Sequence, residues 1–168
     1  MKACGTIGAI DEGKMIYNET VSRGLINKNI ILGTTLVDMY ARCGLFIEAQ
    51  YVLDVLPIRN EVSWSALIEG YTHNGKDHEP RSCLEHMRAE GISPNAITFI
   101  SILKACGNTG AINEGIKIHD EIETRRDLLE KNIALGTVLC GYVCERCLQK
   151  QKLCYKGSLV EMLFVGLH

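Results

Sequence analysis

The chain has 168 residues, of which 46% are hydrophobic, and its formal net charge at pH 7 is −2. No stretch stays apolar over about 18 residues, so the sequence predicts no membrane-spanning helix. The slightly acidic balance also argues mildly against a free-standing nucleic-acid binder, which is usually basic. Only three prolines occur, which leaves most of the chain able to form helices.

Four glycines divide the chain into similar pieces. Gly8, Gly44, Gly75 and Gly110 are 36, 31 and 35 residues apart, and each lies between two apolar patterns with helical spacing. Because glycine often ends a helix in a left-handed turn, each is predicted to separate the two helices of one helix–turn–helix unit. A period of about 34 residues predicts a repeat architecture.

Direct self-similarity supports this interpretation. The segment Lys2–Gly5 returns 102 residues later as Lys104–Gly107, and Lys28–Ile30 returns 103 residues later as Lys131–Ile133. The second copy therefore contains one inserted residue. The predicted fold is all-α, an α-solenoid of stacked helix–turn–helix repeats in which each repeat buries its apolar face against its neighbours.

Apolar residues in the predicted helices recur at i, i+3, i+4 and i+7, which places them on one stripe. In the third unit the first helix is predicted over Val62–His73 and the second from about Asp77 to Ala89, where Gly91 and Pro94 end it. The predicted stripes in chain order are Leu36, Val37 and Tyr40; Ala49, Val52, Leu53 and Leu56; Trp64, Leu67, Ile68 and Tyr71; and Phe99, Ile102, Leu103 and Cys106.

The strings at 36–44, 60–68, 87–95 and 102–107 resemble pentatricopeptide repeats. The unequal spacing resembles the plant-type subclass, in which long, short and standard repeats alternate. Met1 aligns with Leu103, in the middle of a first helix, so we expect a fragment of a longer array. The resemblance implies a partial long repeat (second helix) at 1–29, a short repeat at 30–60, a standard repeat at 61–95, a long repeat at 96–132, and a degenerate short-repeat start with a divergent tail at 133–168.

The rival helical repeat is the tetratricopeptide type, which binds peptides. Its pattern requires Trp-x2-Leu-Gly in the first helix, whereas Trp64 and Leu67 are followed by Ile68. Its repeat length is also constant. We therefore disfavour this interpretation.

Pentatricopeptide arrays bind single-stranded RNA with one base per repeat, and two side chains per repeat read the base edge. These are the fifth residue of the first helix and the last residue of the repeat. The resemblance assigns Thr34 with Asn60 and Ser65 with Asn95, two pairs similar to those that read adenine. The alternative role of both asparagines is in turns and helix caps, and one residue can serve both roles.

The next repeat pairs Ile100 with Asn132. Since isoleucine cannot form hydrogen bonds, we expect this base to be read weakly. Thr137 begins a fourth pair without an identifiable partner in the sequence.

A second set of residues resembles the clamp that sandwiches each base. Ile31, Val62 and Ile97 hold the second position of their repeats. The alternative is that these are simply partly buried helix residues.

The resemblance implies a non-enzymatic RNA-binding adaptor in a mitochondrion or plastid, which recruits an editing or processing enzyme in trans. The start of the chain does not resemble a targeting leader, and no catalytic, cofactor or phosphate-binding motif is found. The alternative function is a helical-repeat scaffold for protein interactions without RNA readout. With a net charge of −2, we expect weak RNA binding by this chain alone, because phosphate contacts supply most non-specific affinity.

Eight cysteines occur in the chain, which is many for its length. Cys4 and Cys106 hold equivalent repeat positions, which predicts buried thiols in a reducing compartment rather than a disulfide framework. Cys140, Cys144, Cys147 and Cys154 cluster near the end of the chain, but we predict no metal site there.

The spacing Cys144-x2-Cys147, with His119-x-Glu121 upstream, is similar to the signature of zinc-dependent nucleobase deaminases. We reject that similarity because His119 and Glu121 align with Tyr17 and Glu19 in the second helix of a repeat. The proline that should precede the first cysteine is also absent.

Overall fold

The computed structural model describes residues 14, 15, 17, 19, 22 and 24 and the continuous range 29–149. The range 29–149 contains helices and the turns that join them. The helices are α1 (Ile30–Arg42), α2 (Phe46–Val55), α3 (Glu61–His73), α4 (Glu79–Ala89), α5 (Ala96–Thr109), α6 (Ile112–Thr124), α7 (Arg126–Lys131) and α8 (Ile133–Gln149).

Glycine in the left-handed conformation joins the paired helices. Gly44, Gly75 and Gly110 have φ angles of 78°, 70° and 71°, a region that residues with a Cβ rarely adopt. They join α1 to α2, α3 to α4, and α5 to α6. The predicted inter-helix turns are therefore confirmed at these positions, while Gly8 lies outside the described residues.

The first helices of successive pairs stack on one another. Helix α1 packs on α3, α3 on α5, and α5 on α8, and each paired second helix packs behind its own first helix. The predicted stripe residues Trp64, Leu67 and Ile68 are buried in one core that continues through these contacts. The predicted all-α solenoid is confirmed. Its first helices, α1, α3, α5 and α8, form a continuous layer. The outer surface of this layer is called here the first-helix face.

Helices α1 and α3 approach each other at Gly70. A Cβ added at Gly70 would overlap the Cβ of Ala41 and lie 2.9 Å from its carbonyl carbon. Close-packed interiors leave little room for such a group. Gly70 therefore sets the distance at which these two first helices stack.

Two elements differ from the predicted helices. Helix α4 begins at Glu79 rather than near Asp77, and Pro80 lies in its first turn, where a missing N–H costs no hydrogen bond. A short helix, α7, also separates α6 from α8 after a break at Arg125. Its residues Leu128 and Leu129 pack against the core.

Four cysteines, Cys43, Cys83, Cys106 and Cys140, lie within the described residues and form no disulfide bond with one another. Cys83 and Cys106 are buried, and Cys140 is exposed. Burial raises the pKa of Cys83 to about 12, and the neighbouring Glu79 adds to the shift. None of the described helices combines the length and apolarity needed to cross a membrane.

Candidate nucleic-acid interface

An asparagine precedes each first helix and caps it. The Oδ1 atom of Asn29 accepts hydrogen bonds from the backbone N–H groups of Ile31 (3.0 Å) and Leu32 (3.2 Å). Asn60, Asn95 and Asn132 have the same role at α3, α5 and α8. Such a cap satisfies N–H groups that have no partner within the helix and contributes about 0.5–2 kcal/mol.

The cap role does not use up the asparagine side chain. Each cap bond ends on Oδ1, whereas the amide NH₂ group carries two further donors. Sequence reasoning named Asn60, Asn95 and Asn132 but not Asn29. The position of Asn29 directly before an apolar helix is the sequence signal that could have identified this residue.

The pair Ser65 and Asn95 is in direct contact across the α3–α5 junction. The Ser65 Oγ lies 3.0 Å from Asn95 Oδ1 and 2.7 Å from the hydroxyl of Thr98. It also donates to the carbonyl of Glu61 one turn earlier, at 2.5 Å. Ser65 is only 3% exposed, so its hydroxyl is engaged inside the protein beside the half-buried Asn95.

The pair Thr34 and Asn60 is arranged differently. Asn60 forms a capping box with Ser63, whose hydroxyl contacts the backbone of Asn60 at 3.1 Å (N) and 2.9 Å (O). The structure shows no hydrogen bond between Thr34, which is half-buried, and Asn60. The amide of Asn60 is therefore held by the cap alone.

At the α5–α8 junction the polar partners are missing. Ile100 is half-buried, and Asn132 Oδ1 accepts from the backbone N–H of Leu135 at 3.0 Å. The Thr137 hydroxyl donates to the carbonyl of Ile133 at 2.9 Å within its own helix. Thus the structure provides no side-chain hydrogen bond between a fifth residue and the cap at this junction.

Exposed aliphatic residues recur at the start of the first helices. Ile31, Val62 and Ile97, each the second residue of its helix, are 78%, 51% and 49% exposed. These exposed fractions leave part of each side chain accessible to a ligand, and single exposed apolar residues also occur without a binding role. Ile133, the first residue of α8, is 86% exposed, and sequence reasoning missed it.

A groove between α3 and α5 opens on the first-helix face. Its volume is about 500 Å³, and it is lined by Glu69, Thr72, His73, Ile97, Ile100, Ser101, Lys104 and Asn108. It therefore brings together the predicted clamp residue Ile97 and the predicted base-reading residue Ile100.

The charges on this face are mixed. Arg42 lies 2.7 Å from a carboxylate oxygen of Asp38 and 3.7 Å from one of Glu69, so two acidic groups oppose its charge. Lys104 lines the groove without an ion pair among the described residues. The arrangement can therefore meet both donors and acceptors of a ligand.

The histidine and glutamate of the rejected deaminase signature lie on α6, and its two cysteines lie on α8. Glu121 pairs with Arg88 and accepts a hydrogen bond from Arg125 at 3.1 Å, so it serves as an arginine partner. His119 lies 3.7 Å from Asp120 and 3.9 Å from Glu123 on the exposed side of the same helix. The side chains of Cys144, Cys147 and Cys154 lie outside the described residues.

Two family models match this chain. A model described as the PPR repeat family matches residues 59–125, and a second, described as PPR repeat, matches residues 34–57. PPR abbreviates pentatricopeptide repeat. The chain belongs to the pentatricopeptide repeat family. Members of this family generally bind RNA, and the tetratricopeptide interpretation is set aside.

Curated pentatricopeptide repeat-containing proteins of Arabidopsis thaliana agree. A chloroplastic one is 36% identical over 86% of this chain and 24% of its own length. A mitochondrial one is 36% identical over 68% of this chain and 20% of its length. A further chloroplastic one is 35% identical over 86% of this chain and 17% of its length. The chain thus spans a quarter or less of these relatives.

Proposed function

We propose that the chain binds single-stranded RNA along its first-helix face, with one base at each junction between repeats. One observation supports this more than any other. A capping amide and an exposed aliphatic residue two positions later recur at the start of α1, α3 and α5. An apolar surface can stack on any base, while an amide can bond a base edge.

Sequence preference follows from the chemistry of each junction. The pairs Thr34–Asn60 and Ser65–Asn95 combine a hydroxyl with an amide, and we propose that both favour adenine. The pair Ile100–Asn132 offers one hydrogen-bonding side chain and discriminates less. Thr137 lies at the corresponding position of α8 and begins a fourth pair.

The proposed function includes a division of the chain into repeats. It comprises a partial long repeat at 1–29, a short repeat at 30–60, a standard repeat at 61–95, a long repeat at 96–132 and a degenerate segment at 133–168. This alternation is that of the plant-type subclass.

We further propose that the chain is a non-enzymatic adaptor that presents RNA to an editing or processing enzyme in trans. The named relatives support a mitochondrial or plastid location, since they are described as chloroplastic or mitochondrial. The mixed charge of the first-helix face predicts weak binding by this chain alone, since counterion release by cationic side chains is small.

The decisive experiment replaces the cap amides without removing the caps. Asp caps a helix about as well as Asn, but its carboxylate cannot donate. The purified wild-type chain and the Asn60→Asp, Asn95→Asp double variant are titrated with fluorescent oligoadenylate and oligouridylate at several salt concentrations. We expect the wild type to prefer adenine about fivefold or more, since one mismatched base typically costs about 1–3 kcal/mol, and the variant to lose that preference.

The matched control is Asn113→Asp, an exposed residue of α6 that changes the charge away from the first-helix face. It should leave the adenine preference unchanged. Equal binding of both oligonucleotides by the wild type would contradict base readout.

Absence of RNA binding even at low salt would favour the alternative, a protein-interaction scaffold. One observation supports that alternative. Ile47, Tyr51 and Val55 are exposed at successive turns of α2, outside the first-helix face, and an apolar row of this kind is suited to a protein partner.

A further inference from the structure

Thr98 touches both members of the pair that is proposed to read a base. It is the third residue of α5 and is fully buried. Its hydroxyl lies 3.1 Å from Asn95 Oδ1 and 2.7 Å from Ser65 Oγ, and its backbone N–H donates to the same Oδ1 at 3.0 Å. Neither the repeat pattern nor the two-residue reading scheme assigns Thr98 a role.

The hydrogen bonds around Asn95 fix the orientation of its amide. The N–H and the hydroxyl of Thr98 both donate to Oδ1, and the Ser65 Oγ lies 3.0 Å from the same atom. Exchanging the oxygen and nitrogen would direct the NH₂ group against the Thr98 N–H and lose the cap. The Nδ2 atom has no hydrogen-bond partner within the described part of the chain, so it remains free to donate.

We propose that Thr98 is a positioning residue for base recognition at the α3–α5 junction. This role rests on the proposed RNA-binding function. The Thr98 hydroxyl holds the Asn95 amide in one orientation, with Nδ2 available to an acceptor on the base. Ser65, which is 3% exposed, then acts through the amide. A buried network of this kind rigidifies a group when all its members are satisfied.

The other junctions provide an internal comparison. The residue equivalent to Thr98 is Ser63 in α3, whose hydroxyl bonds the backbone of Asn60 rather than its amide. In α8 it is Leu135, which has no hydroxyl. Base discrimination should therefore be strongest at the α3–α5 junction, intermediate at α1–α3, and weakest at α5–α8.

The test compares Thr98→Val, which keeps the branched shape and removes the hydroxyl, with Thr98→Ser, which restores it. Thr109→Val is the matched control, because it removes a hydroxyl that, among the described residues, donates to the Ala105 carbonyl of the same helix and to no other group. Each protein is titrated with RNAs that differ at the single base facing this junction. Their side-chain amide spectra are recorded by NMR without RNA, with Asn95 assigned from its loss in Asn95→Asp.

We expect Thr98→Val to reduce the single-base preference about fivefold and to shift or broaden the Asn95 NH₂ signals. Thr98→Ser and Thr109→Val should retain both properties. A folded Thr98→Val protein with the wild-type base preference, or with unchanged Asn95 signals, would overturn this inference alone. A wild-type chain that binds no RNA would overturn the proposed function and this inference with it.

Discussion

The α3–α5 and α5–α8 junctions share one cap and differ in what surrounds it. At both, an asparagine Oδ1 accepts the backbone N–H of the third residue of the following helix, at 3.0 Å. At the α3–α5 junction, the hydroxyl oxygens of Ser65 and Thr98 also lie 3.0 Å and 3.1 Å from that oxygen. At the α5–α8 junction, the corresponding residues are Ile100 and Leu135, which have no hydroxyl. The fold thus requires the cap, while the neighbours of the cap decide how firmly its amide is held.

The second-helix side of these repeats differs too. The Trp64 indole donates to Glu90 at 2.9 Å, and Arg59 pairs with the same carboxylate at 2.8 Å. The residue equivalent to Trp64 is Phe99, and the Arg125 guanidinium lies over its ring, 5.6 Å from the centroid. An aromatic residue is retained at this position, and its polar partner changes from an acid to a base.

The largest loss of stability is expected when Leu135, at the α5–α8 junction, is replaced by threonine, the residue at the equivalent position of the α3–α5 junction. Leu135→Thr should reduce the free energy of unfolding by about 2–3 kcal/mol, because Leu135 is fully buried and the smaller side chain leaves a cavity. Urea denaturation followed by circular dichroism measures the loss. A cost near zero would show that the two junctions are interchangeable in packing.

A smaller difference should separate the two caps. Asn132→Ala should cost about 1 kcal/mol of folding stability, the usual effect of losing a cap. Asn95→Ala should cost about 2 kcal/mol, because the buried hydroxyl of Thr98 also loses its acceptor. Thermal and urea unfolding of both variants, with the exposed Asn113→Ala as a control, test this order. Equal losses would mean that the hydroxyl network adds nothing to the cap.

The smallest effect concerns the second-helix side. Arg59→Gln should cost no more than about 1 kcal/mol, because partly exposed ion pairs contribute little, and the loss should shrink as salt is added. Arg81→Gln is the control. The Arg81 side chain is 59% exposed, and its pairs with Glu85 and Glu114 are 3.3 Å and 3.6 Å long, against 2.8 Å for Arg59 and Glu90, so its removal should cost less. A salt-independent loss for Arg59→Gln would point to packing against Trp64 instead of charge.

Much of this fold could be predicted from local signals. Gly44, Gly75 and Gly110 specify left-handed turns that few other residues adopt, and the stripe of Trp64, Leu67 and Ile68 identifies the buried side of α3. The turns and the apolar stripe depend on residues that are close together in the sequence, so a single sequence is enough to predict them. Asn60 and Asn95 are assigned by the resemblance as the last residues of their repeats, and only their alternative role as helix caps follows from a local signal.

Other features depend on contacts distant in sequence. The six residues of α7 are too few for a periodic pattern, and the break before it accompanies the placement of Arg125 over Phe99. The burial of Ser65 follows from Asn95 and Thr98, about one repeat further along the chain. A serine in a helix is usually exposed, so nothing near Ser65 in the sequence indicates that its hydroxyl is enclosed.

The capping asparagines also restrict how such a chain can change its target during evolution. Under the proposed function, the residue that starts a helix is also the one that meets a base, so a replacement must satisfy both tasks. Asn, Asp, Ser and Thr cap helices well, whereas Ala, Val and Leu do not. The range of residues open to selection at positions 60 and 95 is therefore narrow, and Asn-to-Asp exchange is a route to new specificity that leaves the helix start intact.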